Sequence, residues 1–575
     1  MSYRVITAVL TARVAVHVGS GKDNAVTDAL IRRDAKGQPF LPGTAVAGAL
    51  RSLLTRLAPR LGFKPCRALS GEERQKSCNC AVCGLFGDVN PSDEDESTSA
   101  ASRVLVFNAR PNSPVPRSLV RDGVGVDRTS GTAARAGAVK FDLEVLPAGA
   151  SFMLRMELRD AIGEDETLLA AGLAEWEAGR FWLGGRVARG LGAFDLSELH
   201  FKTLELGTAG QVIGFLREDK PWCSARTEDG WLQKQLGLVT ITPADPETDG
   251  VARGWFSLRG TLRADGALLT NDTLAAGASG FDHAPLLGRE DNWDKPVLTG
   301  AGLRGVLRSH AERLARTLVS FQSADKDDFL RRCPACDPNV RDQDNDQARR
   351  LGLESCDSLV KKSGVPSDVE VENDRLCLAC RFFGSSWRGS RLIVEDGLYQ
   401  ATETQPKPVF KMLDFLAIDR FTGGGAEGLK FDALALWQPA FTLRLHLENP
   451  APWELGWLWL VLRDLAEGWL TVGFGGAKGF GRVTLTDWEA TFGFLRPEDF
   501  PNLTKPGLVT KKSGVYATAT FTETEEGWGP LVERWTDAFG RAATSFSRRE
   551  ESVLTEDSYF DRLKPLYPLE KEGIQ

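Results

Sequence analysis

Ten cysteines are the residues of this chain whose type and spacing point most directly to chemistry, and eight of them fall into two clusters. The later cluster is a pair of CxxC motifs, formed by Cys333, Cys336, Cys377 and Cys380. Two such knuckles can supply four thiolates to a tetrahedral zinc ion. The 40 residues between the knuckles are longer than a compact zinc finger spans, and Cys356 lies among them as a candidate substitute ligand.

The earlier cluster has a less regular spacing but the same number of thiols. It consists of Cys66, Cys78, Cys80 and Cys83. Clustered cysteines in a large chain without a secretion signal favour metal binding over disulfides, and the alternative is a set of reduced structural cysteines. Neither cluster contains a histidine or a nearby acid that could activate water, so we predict two structural zinc sites rather than catalytic ones.

The charge of the chain limits how it could meet nucleic acid. The formal net charge is −8, which counts against a protein that coats nucleic acid through its whole surface. Residues 103–140 nevertheless hold seven Lys or Arg against two Asp, in a stretch rich in Gly and Pro. This stretch is either a solvated loop or an arm that follows phosphates, and its candidate contacts are Arg110, Arg117, Arg121 and Arg128.

The N-terminal sequence MSYRVITAVLTARVAV alternates like a β-strand and lacks the pattern of a secretion signal. Apolar runs fall short of the roughly 20 residues that span a bilayer. We therefore expect a cytoplasmic protein with no membrane partner.

Four sequence features occur twice in the same order, which indicates a tandem duplication. PGTAVAGALR from Pro42 recurs as TGAGLRGVLR from Thr299, and CAVCGLFG from Cys80 recurs as CLACRFFG from Cys377. GVDRTSG from Gly125 recurs as AIDRFTG from Ala417, and GGRVARGLG from Gly184 recurs as GGAKGFG from Gly475.

The order of the predicted elements fits a ferredoxin-like α+β unit, present twice. Each copy predicts a strand, a helix, further strands, a second helix over 165–178 or 453–468, a glycine loop and a last strand. The predicted divisions are a first unit over 1–205, a linker region over 206–254 with a polar seam near 243–250, a second unit over 255–486, and a C-terminal extension over 487–575. The extension carries several aromatic residues, so we expect it to pack on this chain or to dock a partner.

The glycine loops are weak indicators when taken alone. They match no Walker motif, because no Ser or Thr follows to bind magnesium, and each could be a simple tight turn. In a ferredoxin-like unit such a loop lets a nucleic-acid backbone come close, and Arg189 or Lys478 would supply positive charge.

Several of these segments together resemble the RAMP superfamily, and most closely the Cas-seven group of backbone subunits in CRISPR type III effectors. The segments are HVGSG from His17, VTDALIRRD from Val26, PFLPGT from Pro39, and the cysteine, Asp-Arg and glycine-loop motifs. The resemblance covers about 1–200 and, more loosely, 255–485. Two copies in one chain look like the double fusions of type III-D variants.

The resemblance implies a palm with an RNA-recognition-type fold, a thumb hairpin in each unit that inserts between guide and target bases, and a stack of such units with other effector subunits along a guide RNA. It also implies an aspartate, in the loop before the first helix, that supports cleavage of target RNA with magnesium. Asp28 matches that position in the first unit, and Asp282 matches it in the second. The second unit departs from the pattern because Thr299 replaces the proline and the preceding loop is longer.

Combining these patterns, we expect the chain to be a metal-dependent endoribonuclease subunit. The residues expected to contact RNA are His17, Ser20, Lys22, Arg51, Arg110, Arg117, Arg121, Arg128, Arg189, Arg304, Arg308, Arg420 and Lys478. Three other functions stay open: a guide-binding scaffold without cleavage, a nuclease that processes the guide precursor and needs an active-site histidine, and a zinc-stapled protein-interaction scaffold.

Overall fold

The computed structural model describes residues 2–24, 27–66, 78–88, 100–127, 133, 140–223, 225–243, 252–290, 293–337, 355–362, 375–403, 405–499, 510–523 and 527–547. The elements of the first unit are β1 (Ser2–Ala12), α1 (Gly43–Leu57), α2 (Ala81–Phe86), β2 (Val104–Val106), β3 (Arg110–Pro111), β4 (Leu119–Val124), β5 (Lys140–Val145), β6 (Ser151–Leu158), α3 (Gly163–Glu177), β7 (Phe181–Trp182) and β8 (Ala193–Glu205). Three shorter elements follow: α4 (Ala209–Arg217), β9 (Arg226–Thr227) and α5 (Trp231–Leu236).

The second unit repeats this plan with additional elements. Its first part contains β10 (Gly254–Ala264), β11 (Ala267–Leu268), α6 (Thr273–Ser279), β12 (Leu287–Glu290), β13 (Trp293–Leu298), α7 (Gly300–Ser320), α8 (Lys326–Arg332), α9 (Cys356–Lys362), α10 (Leu378–Phe383), β14 (Leu392–Val394) and β15 (Gly397–Leu398). Its second part contains β16 (Phe410–Ile418), β17 (Gly425–Trp437), β18 (Ala440–Glu448), α11 (Pro452–Ala466), β19 (Val483–Phe494), β20 (Lys511–Ser513), β21 (Tyr516–Thr522) and α12 (Trp528–Ser545).

The two central sheets have the same topology. In the first unit β1 lies between β6 and β8 in the order β2-β6-β1-β8, and in the second β10 lies between β18 and β19 in the order β14-β18-β10-β19. Both central strands carry a register shift at the same place, after Thr7 in β1 and after Arg259 in β10. Alternate residues of each strand face the helices, which buries one face of each sheet. The prediction of two tandem ferredoxin-like α+β units is confirmed.

The region predicted as a linker contains folded structure that packs on the first unit. Strand β9 pairs with β8, and the indole ring of Trp231 stacks on Phe201 with ring centroids 4.2 Å apart. The indole nitrogen of Trp231 also donates a hydrogen bond to Glu166 at 3.1 Å. Residues 244–250, where we predicted the seam, lie outside the described residues.

The described part of the C-terminal extension packs on this chain. Strand β21 pairs with β19 and widens the second sheet, while the ring of Phe539 in α12 stacks on Trp457 in α11 with centroids 5.1 Å apart. Gly456 allows the close approach of α12, because a Cβ at this position would lie 2.0 Å from the carbonyl oxygen of Trp535. Docking of a partner by the extension stays a prediction.

The two units meet through buried ion pairs. Arg13 donates to both carboxylate oxygens of Glu395, at 3.0 and 2.7 Å, and Arg60 reaches Asp499 at 2.7 Å with both side chains almost fully buried. At another point of the junction Gly190 of the first unit approaches Gly300, the first residue of α7, so closely that a Cβ on Gly190 would lie 2.7 Å from the Cα of Gly300. The junction is therefore sensitive to change at these residues, because removing one partner would leave an uncompensated buried charge.

Within the part of the chain that the structure describes, no helix is both long enough and apolar enough to span a membrane.

Candidate nucleic-acid interface and metal centres

Asp28 lies in the segment between β1 and α1, where it docks against a β-hairpin. This first hairpin is formed by β4 and β5. Oδ2 of Asp28 accepts a hydrogen bond of 2.8 Å from the backbone nitrogen of Asp142 in β5, and Ala29 forms a parallel bridge with Leu143. The exposed Asp28 carboxylate is therefore held at the base of the hairpin.

A buried carboxylate next to this contact secures the same segment. Glu144 accepts hydrogen bonds from the backbone nitrogen of Ile31 at 3.0 Å and from Arg33 and Ser118, both at 2.7 Å. Burial alone would raise the pKa of Glu144, but the hydrogen bonds from Ser118 and Arg33 outweigh it and lower the pKa. The segment that carries Asp28 is thus tied to the hairpin at several successive residues.

Asp282 repeats this arrangement in the second unit, against the second hairpin, formed by β16 and β17. Oδ2 of Asp282 accepts from the backbone nitrogen of Asp432 at 2.9 Å, and the backbone nitrogen of Asp282 donates to Oδ1 of Asp432 at 2.9 Å. His283 forms the parallel bridge with Ala433 that corresponds to the one made by Ala29. Two units with different sequences therefore present an exposed aspartate in the same place.

Each of these aspartates has two further carboxylates nearby. Asp122 is the cross-strand partner of Asp142 in the first hairpin, and Asp414 is that of Asp432 in the second. Burial and the neighbouring Asp122 and Asp28 raise the pKa of Asp142. Like charges opposite each other destabilise a hairpin, so hairpin stability does not explain an acidic pair at these positions.

A cation from the glycine loop reaches the base of each hairpin. The Arg186 guanidinium lies 4.0 Å above the Phe141 ring, and the Lys478 ammonium lies 4.4 Å above the ring of the corresponding Phe431. Burial and Arg189 lower the pKa of Arg186, while Asp28 raises it. Lys478 was predicted from sequence as an RNA contact, but in the first unit the prediction named Arg189 and not Arg186. Both arginines lie in the same glycine-loop motif. The contact with Phe141 in the first hairpin identifies Arg186 as the counterpart of Lys478.

His283 is a second residue that sequence reasoning missed. Its ring lies 4.2 Å from that of Phe474, and burial together with the neighbouring Lys478 lowers its pKa, so the imidazole is neutral at pH 7. The first unit has Ala29 at this position. Its adjacency to Asp282 in sequence was the available indication.

The second hairpin exposes an unusual amount of apolar surface. Within its turn, Oδ1 of Asp419 accepts hydrogen bonds from the backbone nitrogens of Phe421 and Thr422, at 2.9 and 2.8 Å. The turn leaves Phe421 99% exposed and Arg420 exposed beside it. The other exposed large apolar side chains of the hairpin are Phe410, Met412, Leu416, Ile418 and Leu429. Several large apolar side chains exposed on one hairpin indicate an interaction site.

Six of the predicted RNA contacts are exposed to a ligand: Arg420 and Lys478, already described, and four others. Lys22, Arg117 and Arg189 are exposed, and Arg110 has a side chain 75% exposed beside Asp34 at 3.7 Å. Arg128 lies outside the described residues.

Six predicted RNA contacts instead serve the fold. His17 is buried, with Nδ1 2.7 Å from the carbonyl oxygen of Glu144, and Ser20 donates to the carbonyl oxygen of Leu30. Arg121 is buried in a 2.5 Å ion pair with Asp396 across the unit junction. The remaining three contact the cysteine knuckles: Arg51, Arg304 and Arg308. These six residues therefore have structural partners, and a role for any of them in RNA binding stays a prediction.

The two cysteine clusters each bring four thiols within 4.8 Å of one another. The first is the predicted set of Cys66, Cys78, Cys80 and Cys83. The second contains Cys356 in place of Cys333, so the ligand set predicted for this cluster is wrong at one position. The thiol of Cys333 donates to the carbonyl oxygen of Ala335 at 3.2 Å, and α9 carries Cys356 into the cluster.

The sulfur spacing fits a tetrahedral zinc ion. Zn–S bonds of about 2.3 Å place neighbouring sulfurs of a tetrahedron about 3.8 Å apart. The Sγ atoms of Cys66 and Cys83 are 3.7 Å apart, and those of Cys336 and Cys380 are 3.5 Å apart. Burial raises the pKa of Cys83 to about 11, whereas a hydrogen bond shared with Cys356 lowers the pKa of Cys336 to about 6. The sulfur spacing therefore allows both clusters to hold zinc.

Asp28 and Asp282, unlike the cysteines, do not belong to a group of at least three candidate metal ligands within the described residues. Among the described residues, the groups of three or more candidate ligands that lie within 4.8 Å are the two cysteine clusters. The carboxylates at the hairpin bases do not form a preassembled magnesium cage.

Comparisons with known proteins extend these observations. The family model for the RAMP superfamily matches residues 10–195 and 280–484, which together cover more than half of the chain and correspond to the two units. A comparison with curated proteins finds no match.

Proposed function

The chain belongs to the RAMP superfamily, which indicates a CRISPR-associated RNA-binding subunit, and from this premise we propose that it is a double backbone subunit of a type III effector that binds guide RNA and cleaves complementary target RNA. The observation that carries the proposal is the repeated placement of an exposed aspartate, Asp28 or Asp282, at the base of a hairpin.

The exposed cations and hairpins would form the RNA path. Guide RNA must be held whatever its sequence, so contacts to phosphate and 2′-hydroxyl groups would dominate. The proposed contacts are Lys22, Arg110, Arg117, Arg186, Arg189, Arg420 and Lys478. Phe421 would stack on a base and separate it from its neighbour, since aromatic stacking tolerates any base.

Cleavage would use a splayed nucleotide beside each hairpin. The 2′-hydroxyl of that nucleotide would attack the adjacent phosphorus atom in line, and the P–O5′ bond would break to give a 2′,3′-cyclic phosphate. The departing 5′-oxygen would take a proton from solvent. Asp28 and Asp282 would each orient or deprotonate the 2′-hydroxyl. Arg186 or Lys478 would stabilise the charge that develops on the phosphate.

Magnesium is implied by the family resemblance alone. When bound, it would supply Lewis-acid stabilisation of the phosphate, and Asp28 and Asp282 are the residues that would hold it together with RNA oxygens.

A guide-binding scaffold without cleavage is the second candidate function. It is favoured by the hydrogen bonds of Asp28 and Asp282 to the hairpins, because such docking is a sufficient structural reason for an aspartate.

Mapping the cuts in a target RNA tests the proposal. The assembled complex with its guide should cut a complementary RNA at two positions and leave a non-complementary RNA intact. Asp28→Ala and Asp282→Ala should each remove a different cut, slowing it by roughly 10²-fold or more. An Asp34→Ala variant is the control, because Asp34 accepts hydrogen bonds from the backbone nitrogens of Lys36 and Gln38 in its own turn and forms a 3.7 Å ion pair with Arg110 in the contacts described. Two undiminished cuts in the double variant would leave the scaffold function.

A further inference from the structure

One face of α7 carries a charged residue at every fourth position, and this face contacts the second cysteine cluster. The residues are Arg304, Arg308, Glu312 and Arg316. Arg304 donates to the carbonyl oxygen of Phe383, Arg308 to that of Gly384 at 3.1 Å, and Arg316 to those of Ala335 and Cys336 at 3.2 and 2.9 Å. The helix therefore holds the backbone of both knuckles.

Arg308 also reaches a sulfur atom. Its Nη2 lies 3.7 Å from Sγ of Cys380, and its Nε donates to Glu312 at 2.9 Å. The side chain of Arg308 is 12% exposed and that of Glu312 is fully buried. The guanidinium is consequently fixed between a carboxylate and a thiol inside the protein.

The first unit contains the same contact. Nη2 of Arg51 lies 3.4 Å from Sγ of Cys83. Arg51 and Arg308 each lie eight residues after the first residue of α1 or α7, and Cys83 and Cys380 each close the CxxC motif of their unit. The same arginine–sulfur contact therefore occurs in both units, although their helix sequences differ.

The charge of a loaded site explains why an arginine belongs there. Four thiolates around Zn²⁺ carry a formal charge of −2 in a buried environment, where charge is costly unless it is compensated. Groups that donate hydrogen bonds to metal ligands orient them and change metal affinity by 10- to 100-fold. Arg308 and Arg51 are placed to do both.

The two sites differ in the rest of this arrangement. The α7 face offers three arginines and one glutamate, whereas the corresponding positions around Arg51 are Ala47, Thr55 and Pro59. The first site thus has a single compensating cation from its helix. The second has an ordered network, with formal charge +2 from the helix face.

We propose that Arg51 and Arg308 are positioning residues that set the zinc affinity of the two cysteine clusters, and that the second cluster holds zinc more tightly because of the α7 network. The inference rests on zinc occupying the clusters and is independent of RNA cleavage.

Site-resolved zinc release from the full chain tests the proposal. Zinc-loaded protein is titrated with a chromophoric chelator, and the released thiols are alkylated and identified by peptide mapping. In the wild type, alkylation should reach Cys80 and Cys83 at a lower chelator concentration than Cys377 and Cys380. Arg308→Met should lower the zinc affinity of the second site by roughly 10- to 100-fold and leave that of the first site unchanged. Arg51→Met should lower the zinc affinity of the first site and leave that of the second site unchanged.

Matched variants keep the test decisive. Arg313→Met changes an exposed arginine on the opposite face of α7 and should release zinc like the wild type. If Arg308→Met does not fold, Arg308→Lys replaces it. Lysine keeps the charge but lacks the planar guanidinium, so the zinc affinity of the second site should be intermediate. If neither Arg308 variant folds, the zinc affinity of the first site in Arg51→Met tests the proposal. Zinc release at wild-type chelator concentrations from the arginine variants, or release of the second site before the first in the wild type, would overturn the proposal.

Discussion

The backbone nitrogen of Asp142 donates a hydrogen bond of 2.8 Å to the carboxylate of Asp28, and the same bond, at 2.9 Å, joins Asp432 to Asp282. The bond couples the segment before α1 or α7 to the hairpin that would part the RNA strands. Because one carboxylate oxygen makes this contact, the other remains available to a ligand. The geometry therefore allows each aspartate a structural and a chemical role at once.

Loss of the exposed ring at the tip of the second hairpin should weaken target engagement. Phe421→Ala should reduce affinity for target RNA by roughly 5-fold or more, since a base stacked on an aromatic ring contributes about 1–3 kcal/mol. Fluorescence anisotropy of the guide-loaded complex with labelled target measures this. Leu216→Ala, at a side chain 73% exposed on α4 of the first unit, is the matched control. Equal affinities for the two variants would exclude Phe421 from the RNA path.

Neutralising the glycine-loop cation of the second unit should weaken binding for all guide sequences alike. Lys478→Gln removes one proposed phosphate contact, so the slope of log K against log salt should become shallower by about 1. Binding isotherms over a series of salt concentrations provide the slope. A loss confined to some guide sequences would indicate base recognition instead.

The junction between the units should be intolerant of change at Arg60. Arg60 donates to the carbonyl oxygens of Thr242 and Ala252 and to the carboxylate of Asp499. Arg60→Met leaves Asp499 buried without its cation, which should lower the free energy of unfolding by about 3–5 kcal/mol. Urea denaturation measures the change, with Arg110→Met at an exposed arginine as control. Indistinguishable midpoints would show that the pair does not secure the junction.

Stability should fall in mild acid because of His446 at the same junction. Burial lowers the pKa of His446 to about 3, well below the usual 6.5. Between these values the unfolded chain takes up a proton that the folded chain does not, so stability is lost as pH falls below 6.5. The loss should be about 2 kcal/mol at pH 5, and His446→Gln should abolish this part of the pH dependence. Denaturation at pH 7 and pH 5 compares the two proteins, and parallel pH profiles would contradict the assignment.

Periodic features of this chain were readable from sequence, whereas side-chain partners were not. The paired motifs gave the tandem units and the helices predicted over 165–178 and 453–468, which form as Gly163–Glu177 and Pro452–Ala466. Spacing alone favoured Cys333 as a zinc ligand, because it completes a CxxC motif. The fold instead places Cys356, at the start of α9, beside the other three thiols of the cluster. Arg308 matched a basic motif, and only tertiary packing shows that it faces sulfur rather than solvent.

The comparison of Asp→Asn with Asp→Ala at Asp28 and Asp282 tests the central claim most directly. Asparagine keeps an oxygen that can accept the hydrogen bond from Asp142 or Asp432 but removes the negative charge, whereas alanine removes both. In the assembled, guide-loaded complex, Asp28→Asn and Asp282→Asn should each abolish one cut in a long complementary RNA, as fully as the alanine variants do, while target affinity stays at the wild-type value. Cleavage that survives in the asparagine variants and is lost only with alanine would show that the aspartates dock the hairpins and do not take part in the chemistry.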